Sequence, residues 1–304
     1  MGDTVFSEYS KITAGDDLTQ KVWLKAEDGI IEVSPNHWLL CIEPIMYGVW
    51  LEKKAWIHLE EKKEFIMYLG GNLTSNSKIH EPEAVLTLEL FDRIEESKGT
   101  LLLLKLKKSR LHQLSFIRRY LIFFRYYKKD GLTFSRFKAF VSAYSYPRRI
   151  RVVSFRKDNY YNIFPMDLLG DMAQSKRYVF GLRHTNVALK MILKTGRLVV
   201  SEVPREFKDT VYALGKHHSG SPPSIDSLAF KVTESKNFRF YVPEWVESYK
   251  EVRVIKSINM GSHMLLWGEV IDEDRLKEPS AHLFLVHFLH YLHQKNIGRG
   301  YLQV

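Results

Sequence analysis

The sequence contains only one cysteine, Cys41, among its 304 residues. A single cysteine cannot form an intramolecular disulfide, which argues against a secreted scaffold held together by cross-links. Long apolar runs are also missing. The run at residues 101–104 is far shorter than the roughly 20 residues that a membrane-spanning helix needs. The first residues lack the apolar core of a signal peptide. These absences predict a cytoplasmic protein without a membrane span.

Several common motifs of nucleotide-binding proteins and hydrolases are absent as well. The chain has no phosphate-binding Walker loop, no Gly-x-Gly-x-x-Gly, no His-Glu-x-x-His and no Gly-x-Ser-x-Gly. Their absence disfavours the most frequent ATPase, dinucleotide-binding, zinc protease and serine hydrolase interpretations. No internal repeat or low-complexity segment is visible in the sequence.

Positive charge is concentrated in the second half of the chain. The net charge is +10, of which residues 1–147 contribute +2 and residues 148–304 contribute +8. A basic surface attracts anionic ligands such as phosphorylated cofactors. The excess of positive charge is explained equally well by solubility, so charge alone does not distinguish an anion-binding surface from a merely soluble one.

The first half predicts an α+β region, residues 1–146, of unknown role. Residues 21–33 and 38–51 have the composition of strands, and Glu81-Pro82-Glu83 predicts a helix over residues 84–96. Thr133 is predicted to cap a further helix that runs through Ala143 and is ended by Pro147. Apolar spacing predicts another helix over residues 109–129, rich in basic and aromatic residues. This helix could contact nucleic acid. A solvated basic face with aromatic residues in the core is favoured, so nucleic acid is not expected as a partner.

The second half, residues 147–304, is β-rich and carries a succession of short motifs. A basic strand at residues 146–155 leads to an Asn-x-x-Pro segment, then to a strand ending in Arg-His-Thr-Asn. A helix from Thr185 to Lys194 ends at Thr195-Gly196, and the strand at residues 197–201 follows directly. A late strand begins at His263 and contains Gly268-Glu269-Val270.

This succession of motifs resembles the flavin reductase-like family of FMN-binding proteins. The resemblance implies a mixed α/β, β-rich chain in which a Greek-key split β-barrel that binds FMN follows the α+β N-terminal region. It also implies NAD(P)H as a hydride donor and a homodimer as the assembly. The cofactor itself performs the redox chemistry, so no catalytic triad is expected.

The resemblance also carries over to particular positions of this chain. The Asn-x-x-Pro turn would present backbone amides to the flavin, and the segment before the helix would bind its phosphate. A loop would cover the flavin, and His263 would lie near the flavin or the nicotinamide. The candidate cofactor-binding residues are Asn162, Pro165, Met166, Asp167, Arg183, His184, Thr185, Asn186, Ser201, His217, His218 and Ser219, with His263 as the candidate catalytic residue.

The sequence departs from the family pattern at several positions. Met166 stands where an aromatic residue is usual, and Asp167 stands where Ser or Thr is usual. A carboxylate beside an anionic flavin would be repulsive. Val187 and Ala188 replace the usual basic residue and Thr, while Arg183 and Thr185 offer similar groups one turn earlier.

Each candidate also has a purely structural interpretation. Thr185 or Asn186 would be an ordinary helix cap, the Asn-x-x-Pro segment a tight hairpin corner, and His263 a barrel-rim residue bonded to backbone. The sequence therefore predicts a flavin-dependent oxidoreductase first. A flavin-binding or sensing protein without turnover is the first alternative, and an interaction protein with a cofactor-free barrel is the second.

Overall fold

The computed structural model describes residues 9–14, 20–26, 29–56, 62–75, 78–113, 115–128, 131–215, 222–298 and 302–303. Contacts divide the chain into two compact units. The first is built mainly from Leu18–Pro147 and Leu285–Gln303, and the second from Arg148–Phe284. The predicted domain limits near residue 147 stay a prediction. No helix of the described residues is long and apolar enough to span a membrane.

Strands dominate both halves of the chain. The first ten are β1 (Tyr9–Ala14), β2 (Val22–Ala26), β3 (Gly29–Glu32), β4 (His37–Ile42), β5 (Ile45–Glu52), β6 (Glu64–Leu69), β7 (Asn72–Leu73), β8 (Ile79–His80), β9 (Ala84–Glu95) and β10 (Gly99–Leu111). The others are β11 (Arg148–Arg149), β12 (Arg151–Lys157), β13 (Tyr160–Met166), β14 (Leu169–Met172), β15 (Arg177–Arg183), β16 (Arg197–Glu202), β17 (Val232–Glu234), β18 (Tyr241–Pro243), β19 (Ser248–Asn259), β20 (His263–Arg275), β21 (His282–His287) and β22 (Leu302–Gln303).

The helices are short. They are α1 (Lys53–Trp56), α2 (Phe116–Ile122), α3 (Phe134–Ala143), α4 (Leu189–Thr195), α5 (Lys208–Leu214) and α6 (Phe288–Asn296). A π-helical turn at Phe123–Tyr127 extends α2. The predicted helix after Thr133 is confirmed, because Thr133 caps α3 by accepting a hydrogen bond from the Arg136 backbone N–H.

The first unit contains a seven-stranded antiparallel sheet in the order β3-β2-β6-β9-β10-β5-β4. Leu101, Leu102, Leu103 and Leu104 of β10 are all completely buried. Four consecutive buried residues require that both faces of the strand are covered. Helix α6 also belongs to this unit, where His290 Nδ1 lies 2.9 Å from the Glu83 carboxylate.

The second unit contains a seven-stranded antiparallel sheet in the order β13-β12-β16-β19-β20-β15-β14. Its core includes Tyr178, Phe180 and Trp267, each at most 1% exposed. Gly196 ends α4 with a positive φ of 65°, as its position after the predicted helix requires. The strands predicted at residues 197–201 and after His263 are therefore confirmed as β16 and β20.

The two sheets have the same strand order, so the fold of the first unit is repeated in the second. The central hairpins also agree in detail. Strands β9 and β19 both have 12 residues, and β10 and β20 both have 13. Phe91 and Ile255, each the eighth residue of its strand, are bulged out of the ladder. Lys107 and Ile271, each the ninth, are bulged in the partner strands.

The prediction that the chain has no internal repeat is thus wrong at the level of structure. Buried strand positions accept many apolar residues of suitable volume, so a strand order is preserved when the sequence is not. The connections also differ in length. Residues 70–83 join β6 to β9, whereas residues 203–247 join the equivalent strands β16 and β19. A fixed repeat period is therefore missing from the sequence.

Two helices predicted in the first half need correction. Residues 84–96 form strand β9. There, buried Ala84, Leu86 and Leu88 alternate with more exposed residues, so the two-residue period prevails over the helix-start signal. The helix predicted over residues 109–129 begins only at Phe116, because residues 109–111 complete β10. Its aromatic residues are only partly core: Phe123 is buried, whereas Phe116 is 62% exposed.

Candidate cofactor site

One cluster of candidate residues forms where β15 ends and β20 begins. Arg183 is the last residue of β15 and lies directly opposite His263, the first residue of β20. The backbone N–H of His184 donates to the Ser262 carbonyl at 3.2 Å. The His184 Nε2 atom lies 3.3 Å from the side-chain oxygen of Asn259. The structure therefore brings Arg183, His184 and His263 together where the β15/β20 ladder ends.

The imidazole of His263 is almost completely buried, with 1% of the residue exposed. Its Nδ1 atom lies 2.8 Å from the Ser262 hydroxyl. Burial lowers the pKa of His263 to about 4, and the nearby Arg183 and His184 add to this effect. His263 is therefore a neutral imidazole at neutral pH, next to the exposed guanidinium of Arg183.

The turn after Arg183 differs from the prediction. Helix α4 begins at Leu189 with Ala188 as its cap, so Thr185 and Asn186 do not start the helix. Asn186 is buried, and its side-chain oxygen accepts a hydrogen bond from the Ala188 N–H at 2.9 Å. The Asn186 side chain thus replaces a helical hydrogen bond of the local backbone, and the helix begins later in the chain than predicted. The prediction that a helix N-terminus lies at residues 183–186 is therefore wrong.

The exposed groups of this turn remain available to a ligand. Arg183 and Thr185 are both exposed, and the described residues offer neither of them an ion pair or a side-chain hydrogen bond. A guanidinium without a carboxylate partner keeps its full attraction for an anion. The arrangement therefore suits a phosphate group through side chains rather than through a helix dipole.

The Asn-x-x-Pro segment is not a turn. Asn162, Pro165 and Met166 all lie within β13, which pairs with β12 along its whole length. The hairpin turn comes earlier, at Asp158, where φ is 53°. Proline is tolerated in β13 because this strand is at the edge of its sheet. Both the predicted turn and the alternative of a hairpin corner at this segment are therefore wrong.

Two candidates are buried polar residues with unsatisfied atoms. Asn162 is completely buried, and its Nδ2 atom reaches the Tyr160 hydroxyl at 3.4 Å. Within the described residues, Asn162 Oδ1 and Ser201 Oγ have no hydrogen-bond partner. Ser201 and Pro165 both lie opposite Val152, so they share one face of the sheet. Buried polar atoms normally find a partner, so these two need one that the described protein atoms do not provide.

Asp167 follows β13 and is neutralised by the protein itself. Its carboxylate lies 3.1 Å from the guanidinium of Arg148, whose side chain is 2% exposed. The next residue, Leu168, accepts a hydrogen bond from the N–H of Gly181 in β15. Asp167 therefore lies near the end of β15 that carries Arg183. The ion pair removes most of the repulsion that a lone carboxylate would exert on an anionic cofactor.

Three candidates cannot be placed. His217, His218 and Ser219 lie outside the described residues. Conversely, the sequence interpretation did not select Arg148, Asn259 or Ser262, although they contact candidate residues. Ser262 directly precedes His263, so adjacency in the sequence was an available signal. Arg148 and Asn259 reach their partners only through strand pairing and turns, which gave no such signal.

The first unit has different residues at the positions equivalent to this cluster. The pair opposite each other at the strand ends is Arg183 and His263 in the second unit, but Glu52 and Gly99 in the first. A side chain at Gly99 would meet the Trp50 ring at 2.8 Å and the Leu51 carbonyl oxygen at 2.3 Å. In the first unit, the carboxylate of Glu52 therefore stands where the second unit has the guanidinium of Arg183. The position of Gly99 has no room for an imidazole.

Comparisons with known proteins find structural matches of low sequence identity and no sequence relative. No family model matches the chain, and no curated protein matches it. An FMN-binding protein from Thermus thermophilus is 20% identical over 43% of this chain and 72% of its own, with a TM-score of 0.39. An NADH:FAD oxidoreductase from Streptomyces globisporus is 12% identical over 50% of this chain and 88% of its own, with a TM-score of 0.44. A flavoredoxin from Methanosarcina acetivorans is 14% identical over 42% and 69%, with a TM-score of 0.37. Structural matches to FMN-binding and flavin reductase split-barrel proteins thus extend over about half of the chain.

Proposed function

We propose that this protein is an FMN-dependent oxidoreductase whose cofactor site lies in the second unit, where β15 meets β20. The observation that carries the proposal is the pairing of an exposed cation, Arg183, with a buried neutral imidazole, His263, at one strand end. His263 begins the late strand at which the sequence resembles the flavin reductase-like family, and Arg183 offers a cation about one turn before the position where that family has a basic residue. The net charge of +8 in residues 148–304 supports an anionic ligand there.

The residues present fit FMN. Arg183 and the Thr185 hydroxyl would hold the phosphate, since neither has a competing side-chain partner among the described residues. The neutral His263, which is buried opposite Arg183, would add no charge to the site. Ser201 Oγ is a buried atom that still needs a partner among the described residues, and it lies on the same face of the sheet as Pro165. Bound FMN would supply the acceptance and transfer of a hydride.

The residues of this chain would bind and orient the reactants. Arg183 would hold the phosphate through its guanidinium, whose donors match phosphate oxygens in pairs. His263 stays neutral above about pH 4, so it would act on the site as a polar dipole rather than as a charge. By the same resemblance, NAD(P)H is the hydride donor and a homodimer is the assembly.

The test begins with the purified protein. We expect a yellow protein that releases FMN, rather than FAD, on denaturation and chromatography. FMN-loaded protein should then oxidise NADH or NADPH in the presence of free flavin. FAD as the stoichiometric cofactor would contradict the proposed site, which offers groups for one phosphate. Bound FMN without turnover would instead identify a flavin-binding or sensing protein, and a colourless protein that does not take up FMN would overturn the proposal.

A further inference from the structure

A cleft of about 1070 Å³ opens in the first unit and is lined only by residues of that unit. Its walls are the turn between β4 and β5, the far end of β10, the π-helical turn after α2, and helix α3. This volume is slightly above the usual range of about 300–1,000 Å³ for small-molecule sites. Since the residues of the proposed flavin site lie in the second unit, the cleft is a separate feature.

The cleft is strongly basic. Five cationic side chains line it, and Glu43 supplies the only carboxylate among its lining residues. The cations are Lys107, Lys108, Arg110, Arg136 and Lys138. A concave surface with charges of one sign focuses the electrostatic field and raises the local concentration of anions.

Part of this charge is already neutralised, and part is not. Arg136 pairs with Glu43, and Lys107 Nζ lies 2.6 Å from the Glu64 carboxylate. Within the described residues, the remaining cations of the cleft form no ion pair. These are Lys108, Arg110 and Lys138. Three cations without carboxylate partners in one cleft suit a ligand with more than one negative charge.

The fold does not require these basic residues. The bulged residue Lys107 in β10 corresponds to the bulged residue Ile271 in β20. Counting onward from the bulges, Asp272 stands in the place of Lys108, and Asp274 in the place of Arg110. The same strand of the same fold is therefore acidic in the second unit. A basic β10 is a property of the first unit alone, so solubility of this strand does not account for it.

The remaining wall of the cleft is aromatic and apolar. Tyr126, Tyr127 and Phe140 line it, together with Leu132 and Ala139. Tyr126 is 36% exposed and Phe140 is half-buried, so these two rings present surface to the cleft, whereas Tyr127 is 6% exposed and is held in place by packing. A rigid aromatic wall offers a stacking surface to a flat ring, at a small cost in side-chain entropy.

We propose that this cleft binds a nucleotide, a ligand that combines a polyanionic phosphate group with a flat ring. Lys108, Arg110 and Lys138 would bind the phosphates, and the aromatic wall would pack against the base. The proposal is independent of flavin binding, because it concerns residues of the first unit only.

The probe is ADP, titrated calorimetrically into the purified protein. Lys108→Gln with Arg110→Gln should weaken ADP binding at least about tenfold, since each removes a charged hydrogen bond. The matched control is Lys63→Gln with Lys78→Gln, which removes two exposed cations of the same unit that do not line the cleft. All four positions are exposed, so both variants should fold normally. Higher salt should weaken binding to the wild type.

Three further measurements separate the possible origins of a binding signal. Adenosine and inorganic phosphate should each bind more weakly than ADP, because each lacks one half of the contacts. Arg183→Ala should leave ADP binding unchanged. No ADP binding to the wild type would overturn the proposal, as would equal binding by the cleft variant and its control. Loss of ADP binding in Arg183→Ala would move the nucleotide to the second unit and overturn it too.

Discussion

Arg183 is the residue on which the proposed cofactor site most directly depends. Arg183→Ala should weaken FMN binding by about 1.5–3 kcal/mol, the usual contribution of a hydrogen bond to a charged group. The fold should be retained, because the side chain is exposed and contributes little to the core. Fluorescence titration with FMN measures the affinity, and Lys231→Ala, an exposed cation elsewhere in the unit, is the control. Unchanged affinity would place the phosphate elsewhere.

His263 poses a different question, because it is both buried and next to the proposed flavin. His263→Ala should slow flavin reduction by about tenfold or more while FMN stays bound, since a neutral hydrogen-bonding group acts on the reaction more than on retention. Removing a buried side chain should also lower the melting temperature. Single-turnover reduction per folded molecule, measured well below that temperature, separates the two effects. A destabilised variant with normal reduction would identify a structural residue.

The buried His37 of the first unit is expected to make the stability of the protein depend on pH. Burial lowers the pKa of His37 from its ordinary value of 6.5 to about 4. Its Nδ1–H donates to the carbonyls of Val33 and Ser34, at 3.2 Å and 2.9 Å. Between these two pKa values the unfolded chain binds a proton that the folded chain does not. The contribution of His37 to the free energy of unfolding is therefore fully present above about pH 6.5, and it decreases as the pH falls towards 4.

Urea unfolding at about pH 7 and about pH 4.5 tests this prediction, with an expected loss of up to about 3 kcal/mol from His37. Carboxylates also titrate in this range, so the comparison with His37→Gln isolates the histidine. The variant should lose less stability on acidification than the wild type does. Identical losses in the two proteins would show that His37 titrates normally when folded.

At the scale of the element, the start of β10 shows how one fold position was used in two ways. In the first unit, Gly99 leaves room for the Trp50 ring. In the second unit, the equivalent of Trp50 is Gly181, and the equivalent of Gly99 is His263. The bulky residue thus belongs to β5 in the first unit, whereas in the second unit it belongs to β20, the equivalent of β10. This exchange fills the first unit with an indole where the second unit has an imidazole.

Gly99→Ala is therefore expected to destabilise the first unit by about 2 kcal/mol or more, because overpacking forces neighbouring atoms to move. The added Cβ would meet the Leu51 carbonyl oxygen at 2.3 Å, and backbone cannot yield easily. Gly29→Ala is the matched control, since nothing lies within 4 Å of its Cβ. Denaturant unfolding compares the two variants. Equal stability would mean that β5 and β10 shift apart at little cost.

At the scale of the whole molecule, the repeated fold raises the question of how many flavins one chain binds. The first unit has Glu52 where the second has Arg183, and a carboxylate would repel a phosphate. Trp50 and Gly99 also leave no place for a group like His263. The chain should therefore bind about one FMN, although it contains two sheets of the same order. Flavin absorbance against protein concentration, measured after saturation and gel filtration, gives the ratio. A ratio near two would show that the first unit also binds flavin.

The sequence alone predicted the features that depend on neighbouring residues. The Gly196 cap, the Thr133 cap and the strands at residues 197–201 and from His263 onward are all present. Each follows from backbone preferences or side-chain alternation within a few residues. The motifs that resemble those of flavin reductase-like proteins are visible in the sequence for the same reason, because they are short and local.

Only the tertiary structure decided the features that depend on distant pairing. Asn162 and Pro165 lie in a strand because β12 pairs with them, and the Asp167 charge is compensated by Arg148. The neutral state of His263 comes from burial and from Arg183 across the ladder. The repetition of one strand order in two units left no visible period in the sequence. Strand register joins residues that are far apart along the chain, and many apolar sequences satisfy the same register, so local patterns do not encode it.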